Sequence, residues 1–242
     1  MMSSLRVSSE PAYLIHTRVY RETSLIIEAF SLEHGKVSLI AKGVRKKNSP
    51  TAGLLQPFKE LSLSWQGRSE LQTLTSVETI GDRDSMRGKA IFCGFYLNEL
   101  LTFLLTKYDP HPALYHHYKE ALAALMEADS YEAILRYFEL KLLEEIGYGL
   151  NLECECKTGA PFLAEQQYLY DVDEGATLFN EMAHSDAIQG QTLIDLQRHN
   201  LSCPRSFAEA KKLMRSVINQ RIGGRPLRSR ELFHNMPLKL GK

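Results

Sequence analysis

The hydrophobic pattern of the chain changes its period near residue 83, and this change limits the possible folds more than any other feature. Up to about residue 80 the pattern is that of short strands separated by turn signals. From residue 83 onward apolar residues recur at helical spacing, as in residues 91–105. The sequence therefore predicts an α+β protein, with an N-terminal β domain at residues 1–80 and a mainly α-helical domain at residues 81–242.

Five short strands are predicted in the β domain. They are residues 12–20, 25–31, 36–42, 59–65 and 70–78. In the fourth strand Leu61, Leu63 and Trp65 alternate with serines, so we expect one face of this strand, including Trp65, to be buried in the core. The longest connection joins the third and fourth strands. This arrangement fits a five-stranded OB-fold β-barrel with Greek-key order, and an SH3-like barrel stays open as an alternative.

The helical domain is interrupted by a short β segment. Helices are predicted at residues 91–105, 113–127, 131–146 and 206–221. The third should end at Gly147, because a left-handed C-cap needs no side chain. Residues 168–179 have the pattern of a β-hairpin. The most apolar stretch contains Asn98 and Glu99, so it is predicted to be a buried helix and not a membrane span.

Charge is segregated along a chain whose 29 bases balance its 29 acids. Residues 1–82 carry 10 bases and 8 acids, residues 83–204 carry 9 and 19, and residues 205–242 carry 10 and 2. We expect the acidic middle to repel a phosphate backbone, whereas the basic segments on either side of it could bind one.

The two basic segments contain the candidate DNA-binding residues. The first lies on the long loop after the third strand, and the second is near the carboxyl end. The candidates are Lys42, Arg45, Lys46, Lys47, Arg225, Arg228 and Arg230. For the loop, the alternative is an ordinary solvated surface. For the carboxyl end, including the basic helix at 206–221, the alternative is a set of salt bridges with the acidic middle.

Aromatic side chains of the β domain could stack on nucleobases. The candidates are Tyr20, Phe30, Phe58 and Trp65. Trp65 is in phase with core leucines, which favours packing over base stacking. Phe58 follows Pro57 at the start of a strand, and the pattern does not decide its role.

No metal site, cofactor or catalytic centre is predicted. Cys154 and Cys156 are separated by one residue, whereas zinc sites usually have two to four between paired cysteines, and Cys203 stands alone. Four irregularly spaced cysteines indicate a reducing compartment, which predicts a cytoplasmic protein. The sequence has no phosphate-binding loop, no Gly-x-Ser-x-Gly and no His-Glu-x-x-His motif. It is therefore expected not to be an enzyme.

Six stretches of the sequence, in order, resemble the bacterial recombination mediator family RecO. They are Arg21-Glu-Thr-Ser-Leu25, His34-Gly35 with residues 37–43, Leu55-Gln-Pro-Phe58, Gly94-Phe-Tyr-Leu-Asn-Glu-Leu100, Leu135-Arg-Tyr-Phe-Glu-Leu140 with Gly147-Tyr148, and Gly223-Gly-Arg-Pro-Leu-Arg-Ser-Arg230. The resemblance covers nearly the full length. It implies an N-terminal OB domain, a helical C-terminal domain and a mediator of the RecF pathway. Such a protein binds single- and double-stranded DNA, anneals complementary strands and helps to load recombinase.

The resemblance also implies partners and their residues. The partners are RecR, the acidic tail of single-strand-binding protein and, indirectly, the recombinase RecA, in the cytoplasm near the nucleoid. The DNA-binding role is carried over onto the seven basic candidates above. Binding of the acidic tail could fall on Arg136, whose planar guanidinium suits a terminal carboxylate.

Many members of the family carry a four-cysteine zinc site after the Gly-Tyr turn. Only Cys154 and Cys156 occupy that region here. Residues 150–180 are therefore expected to form a degenerate, zinc-ribbon-like insertion without metal.

Two other classes of function stay open at this stage. The first is a non-catalytic protein adaptor, in which the barrel and the helical domain bind protein partners. The second is a fragment of a nuclease or ligase, which the lack of an acidic cluster makes less favourable.

Overall fold

The computed structural model describes residues 5–81, 86–179 and 185–234. They form two compact units, one made of Met1–Glu127 with Leu227–Lys242 and the other of Ala128–Pro226. The first unit continues past residue 80, because the helices that follow the barrel pack against it, and the domain boundary at residue 80 stays a prediction. The change from strands to helices is thus not the limit of this unit.

A closed barrel forms the centre of the first unit. Its strands are β1 (Leu5–Tyr20), β2 (Ser24–Ser31), β3 (Gly35–Ala41), β4 (Glu60–Gly67) and β5 (Leu71–Thr79). They close in the order β1-β2-β3-β5-β4, with β3 and β5 parallel and the other pairs antiparallel. This order confirms the five-stranded OB-type barrel over the SH3-like alternative.

The first strand is longer than the pattern predicts because it contributes to two seams of the barrel. Its amino-terminal part pairs with β4 and its carboxyl-terminal part with β2. The register with β4 shifts between Val7 and Glu10, and Ser9 within this bulge has a φ of +53°. Pro11, which has no N–H to donate, follows directly. The bulge interrupts the alternation of side chains and proline is unfavourable in a strand, so the sequence pattern did not predict this part of β1.

The alternation predicted for β4 is confirmed. Leu61, Leu63 and Trp65 are fully buried and pack in the barrel core with inward residues such as Ile27 and Leu39. Burying a side chain of this size stabilises a fold by about 1.5–3 kcal/mol, so the inner faces of the strands supply much of the stability of the barrel.

Two helices, α1 (Lys89–Leu104) and α2 (Pro112–Glu127), pack with the barrel in the first unit. The Asn98 side-chain nitrogen donates to the Leu14 carbonyl oxygen at 3.3 Å, and the Tyr118 hydroxyl donates to the Asn98 side-chain oxygen. These bonds pair polar groups that burial would otherwise leave without partners. The predicted buried helix at residues 91–105 is confirmed as α1.

The turn between β2 and β3 approaches the connection between α1 and α2 very closely. Gly35 has a φ of +63°, and a Cβ atom added there would lie 2.0 Å from the carbonyl oxygen of Asp109. Only glycine fits this contact, because any side chain would both strain the backbone and overlap Asp109.

The last described helix, α6 (Arg228–His234), packs on α1 within the first unit. The carboxylate of Glu99 accepts hydrogen bonds from the N–H groups of Arg228 at 2.9 Å and Ser229 at 3.0 Å. It also accepts one from the Ser229 hydroxyl at 2.6 Å. Glu99 of α1 therefore caps the amino-terminal end of α6, although it lies 129 positions before Arg228 in the chain.

The second unit combines three helices with a small sheet. Its elements are α3 (Glu132–Glu145), β6 (Gln167–Asp171), β7 (Gly175–Phe179), β8 (Ile188–Gln189), α4 (Gly190–Gln197) and α5 (Pro204–Arg221). The predicted hairpin is confirmed as β6 and β7, and Gly147 beyond α3 has the expected positive φ of +81°. The third strand, β8, was not predicted because two residues are too few to show alternation.

No helix in the described part of the chain combines the length and apolarity needed to cross a bilayer.

Candidate nucleic-acid interface

An open cleft of about 720 Å³ lies between the β1–β2 turn and the chain that leaves β3. We call it the cationic cleft. Its lining residues are Arg21, Glu22, Thr23, Ser24, Ile40, Lys42, Gly43 and Lys46. Three bases and one acid make this surface positive, and hydroxyl groups add hydrogen-bond donors. The cleft thus offers the groups that phosphate oxygens require.

The cations of the cleft are available to a ligand. Arg21, Lys42, Lys46 and the adjacent Lys47 are exposed, and none of them forms an ion pair with another described residue. Cations collected in one cleft create a positive potential that attracts a polyanion. Of the predicted loop residues, Lys42 and Lys46 therefore line the cleft, and Lys47, the next residue in the chain, is exposed.

Arg45 holds the two walls of the cleft together. Its main-chain N–H donates to the Thr23 carbonyl oxygen at 2.9 Å. One of its guanidinium nitrogens donates to the carbonyl oxygens of Arg21 at 3.2 Å and Glu22 at 3.1 Å. The charge of Arg45 remains near the cleft, but its donors are directed at the β1–β2 turn. Its observed contacts are therefore structural.

Arg21 is the functional candidate that the sequence reasoning missed. It lies on the β1–β2 turn with a φ of +52°, and its guanidinium lies 5.2 Å from the centre of the Tyr20 ring. Charge runs draw attention to a loop such as residues 42–47, whereas a single arginine between two strands gives no such signal. The available signal was its position in the stretch Arg21-Glu-Thr-Ser-Leu25, one of the six that resemble the family.

Most of the predicted base-stacking side chains are instead buried or packed against other side chains of the protein. Trp65 and Phe30 are fully buried, so neither can contact a base. Phe58 is half-buried, and its ring centre lies 5.0 Å from that of Phe95. Tyr20 is half-buried beside Arg21. The prediction of core packing for Trp65 is confirmed.

The three carboxyl-terminal arginines have different environments. Arg225 is exposed in the second unit. Arg228 is exposed at the start of α6, where its main-chain N–H bonds to Glu99. Arg230 is half-buried, with its guanidinium 5.7 Å from the centre of the Tyr96 ring. None of them lines the cationic cleft.

The basic helix α5 is largely neutralised within its own unit. Lys211 pairs with Glu132 at 2.6 Å, and Lys212 pairs with Asp186 at 2.6 Å. Arg205 and Arg221 pair with Glu209 and Asp173, both at 2.7 Å. The salt-bridge alternative therefore describes α5 better than a DNA-binding surface does.

Arg136 lies in the interior of the second unit. Its side chain is 4% exposed, and its guanidinium pairs with Glu139, which is fully buried. It also lies 3.8 Å from Glu132. A carboxylate from a partner would have to compete with Glu139 for this guanidinium. The partner-binding role of Arg136 stays a prediction.

The Cys154–Cys156 segment is organised by a carboxylate. The Glu155 side chain accepts a hydrogen bond from the Thr158 N–H at 2.7 Å and another from the Thr158 hydroxyl. The bond from the Thr158 hydroxyl has the largest effect on the pKa of Glu155, and together the two bonds hold this pKa below its usual value. Within residues 5–81, 86–179 and 185–234, no three His, Cys, Asp or Glu side chains are grouped as metal ligands would be.

Comparison with known proteins gives two family matches. Residues 2–83 match the model described as recombination protein O N terminal, and residues 87–231 match the one described as recombination protein O C terminal. The chain is 44% identical to the DNA repair protein RecO of Methylococcus capsulatus over 230 residues, which is 95% of this chain and 94% of that protein. It is 42% identical to the DNA repair protein RecO of Nitrosococcus oceani over 233 residues, 96% of this chain and 95% of the other. The resemblance inferred from six motifs is thus confirmed, and the chain belongs to the RecO family of DNA repair proteins.

Proposed function

We propose that this protein is a mediator of DNA repair and recombination in the RecF pathway, and that it acts by binding DNA without making or breaking covalent bonds. The main support is that Arg21, Lys42, Lys46 and Lys47 are exposed together without an ion pair to another described residue. Their charge can neutralise phosphates of single- or double-stranded DNA. Membership of the RecO family supports the general role in repair.

Strand annealing follows from charge neutralisation. Two single strands repel each other through their phosphates, and cations bound to either strand reduce this repulsion. Duplex formation itself releases about 1.4 kcal/mol per base-pair step, so the protein needs only to lower the barrier to encounter. No nucleotide hydrolysis is required for this mechanism.

Loading of recombinase is proposed to use protein partners. These are RecR, the acidic tail of single-strand-binding protein and, indirectly, RecA, at the nucleoid in the cytoplasm. The tail ends in a carboxylate, and Arg136 is the proposed residue for it because a guanidinium binds a carboxylate with two parallel hydrogen bonds. This requires the carboxylate to displace or share the bond from Arg136 to Glu139.

A peptide titration tests the role of Arg136. Replacing Arg136 alone would leave the buried Glu139 without its observed partner, so Arg136→Gln is combined with Glu139→Gln. The double variant should lose at least tenfold in affinity for a peptide with the sequence of the tail while its thermal unfolding stays cooperative. Unchanged peptide affinity would exclude Arg136 as the site.

The salt dependence of DNA binding tests the cationic cleft. Replacing Arg21, Lys42, Lys46 and Lys47 with glutamine should reduce the slope of log affinity against log salt by about 3, at about 0.7 per phosphate contact on single strands. The matched control replaces four exposed cations elsewhere, with the same loss of charge. They are Lys89, Lys157, Arg198 and Arg215. The control should leave the slope within about 1 of the wild type.

The same experiments separate this proposal from its alternatives. An unchanged slope in the cleft variant would favour a protein adaptor over a DNA-binding mediator. A nuclease or ligase would convert labelled DNA when incubated with magnesium, whereas the proposed mediator leaves the DNA covalently intact.

A further inference from the structure

We infer that the cationic cleft binds DNA through its phosphates, and that the face on which OB barrels usually stack bases is closed, so the bases of a strand in the cleft stay open to pairing. This inference rests on the proposed function and specifies how the cationic cleft recognises its ligand. It concerns the first unit of the structure, in which the barrel, α1 and α2 lie together.

OB barrels usually bind oligonucleotides on the outer face of β2 and β3 and on the β1–β2 and β4–β5 loops, with bases stacked on aromatic rings. Here Ile27 and Val37 point into the barrel core, so Phe30 and Lys36, which alternate with them, point outward. Phe30 and Lys36 are also paired with each other across the two strands. They are therefore the side chains that would meet a base on this face.

Phe30 is already committed to the helices that cover the face. It is fully buried, and its ring centre lies 5.6 Å from that of Tyr115 and 6.3 Å from that of Tyr118, both on α2. Tyr13 of β1 joins the same cluster, 5.1 Å from Tyr118. The aromatic rings that could form a stacking platform are thus the packing between barrel and helices.

Lys36, the polar side chain of this pair, is also buried and hydrogen-bonded within the protein. Lys36 is 7% exposed, and its ammonium nitrogen donates to the Thr102 carbonyl oxygen of α1 at 2.7 Å. This burial lowers the pKa of Lys36. A nucleotide cannot reach the β2–β3 face at Phe30 and Lys36 without displacing α1 and α2.

The loops that remain accessible carry charge and no rings. The β1–β2 turn is Arg21-Glu-Thr23, and the β4–β5 loop is Arg68-Ser-Glu70. Two rings border these loops. Tyr20 is half-buried and has the Arg21 guanidinium beside it, and Tyr108 is 38% exposed with its hydroxyl donating to the Glu70 carbonyl oxygen. The lining of the cationic cleft itself contains no aromatic side chain, so it offers groups for phosphates and no ring for bases.

This arrangement suits annealing. Stacking on a protein ring raises the affinity for a base about fivefold or more, and a stacked base must be released before it can pair. A strand held only by its backbone keeps its bases available to a complementary strand. The same arrangement makes binding independent of sequence, since base edges are not contacted.

An abasic strand provides the test. Affinities of the intact protein are measured by fluorescence anisotropy for an oligo-dT strand and for a strand of equal length in which every nucleotide is an abasic analogue. The two affinities should agree within fivefold, with equal salt slopes. Fivefold or greater loss for the abasic strand would overturn the inference while leaving DNA binding intact. If neither strand binds, the proposed function fails, and this inference fails with it.

Replacing the Tyr20 ring provides a second, independent test of whether bases stack on the protein. Tyr20→Leu removes the ring nearest to the cleft and keeps an apolar side chain. Affinity for oligo-dT should change less than fivefold, with thermal unfolding as a check on the fold. A larger loss in a folded variant would show that Tyr20 stacks a base and would overturn the inference.

Discussion

The guanidinium of Arg45 donates a hydrogen bond to the main-chain carbonyl oxygen of Arg21, with 3.2 Å between the nitrogen and oxygen atoms. The contact joins the loop after β3 to the β1–β2 turn, and the same guanidinium nitrogen also reaches the Glu22 carbonyl oxygen. A planar guanidinium can serve two carbonyls of one turn, which an ammonium on a flexible stem does less well. The position of the Arg21 cation therefore depends on Arg45.

Arg45→Lys should weaken binding of single-stranded DNA about fivefold, which corresponds to about 1 kcal/mol for exposed hydrogen bonds of this kind. The charge is retained, so the salt slope should not change. Lys46→Arg, a charge-preserving exchange on the same loop, should alter affinity less than twofold. If Arg45→Lys bound DNA as tightly as the wild type, the bonds to the β1–β2 turn would not position the cleft.

Glu99→Gln should loosen α6 from α1. The amide keeps one oxygen acceptor but turns an NH₂ group toward N–H donors of Arg228 and Ser229, at a cost of about 1–3 kcal/mol. Faster hydrogen exchange in α6 and a lower urea midpoint are the expected results. Glu127→Gln, at an exposed glutamate in the same unit, serves as the control and should leave both unchanged.

Arg136→Met should destabilise the second unit by about 3–5 kcal/mol, because it removes the partner of a fully buried carboxylate. Adding Glu139→Leu removes that carboxylate and should restore most of the loss. Urea unfolding of both variants measures the difference. A single variant as stable as the wild type would mean that Glu139 does not depend on Arg136.

Glu155→Gln tests the pH dependence of the Cys154–Cys156 segment. The pKa of Glu155 is lowered in the folded chain from its usual 4.5, so its carboxylate stabilises the fold above the unfolded pKa. That stabilisation is lost as the pH falls through the lowered folded pKa. The variant should be less stable than the wild type at neutral pH, and the difference should shrink as the pH falls below 4.5 and through the lowered folded pKa.

The control for this measurement is Glu153→Gln, which changes an exposed carboxylate in the same segment. Its stability relative to the wild type should not vary with pH. A gap for Glu155→Gln that stays constant down to acidic pH would contradict the role of the Thr158 bonds.

Gly35→Ala should destabilise the first unit by more than about 3 kcal/mol, since a methyl group would overlap the Asp109 carbonyl at a positive φ. Gly53→Ala is the matched control. No atom lies within 4 Å of an added Cβ at that position, so its effect should stay within about 0.5 kcal/mol. Thermal unfolding compares the two.

Local patterns in the sequence were sufficient for most of the elements. The alternation around Leu61 and Trp65 identified β4 and its buried face, and Gly147 marked the end of α3. Each depends on neighbours a few residues away, which a sequence displays directly. The amino-terminal part of β1 and the short β8 were missed, because a bulge interrupts the first and two residues give the second no period.

What the sequence determined by itself was the order of the elements, the buried faces of the barrel strands, the family and the location of the loop cations. What the tertiary structure decided was the use of each charge and ring. It paired Lys211 and Lys212 with carboxylates, directed Arg45 at the β1–β2 turn and buried Phe30 under α2. The physical reason is that periodicity reports burial of neighbouring residues, whereas hydrogen bonds, ion pairs and ring contacts join residues far apart in the chain.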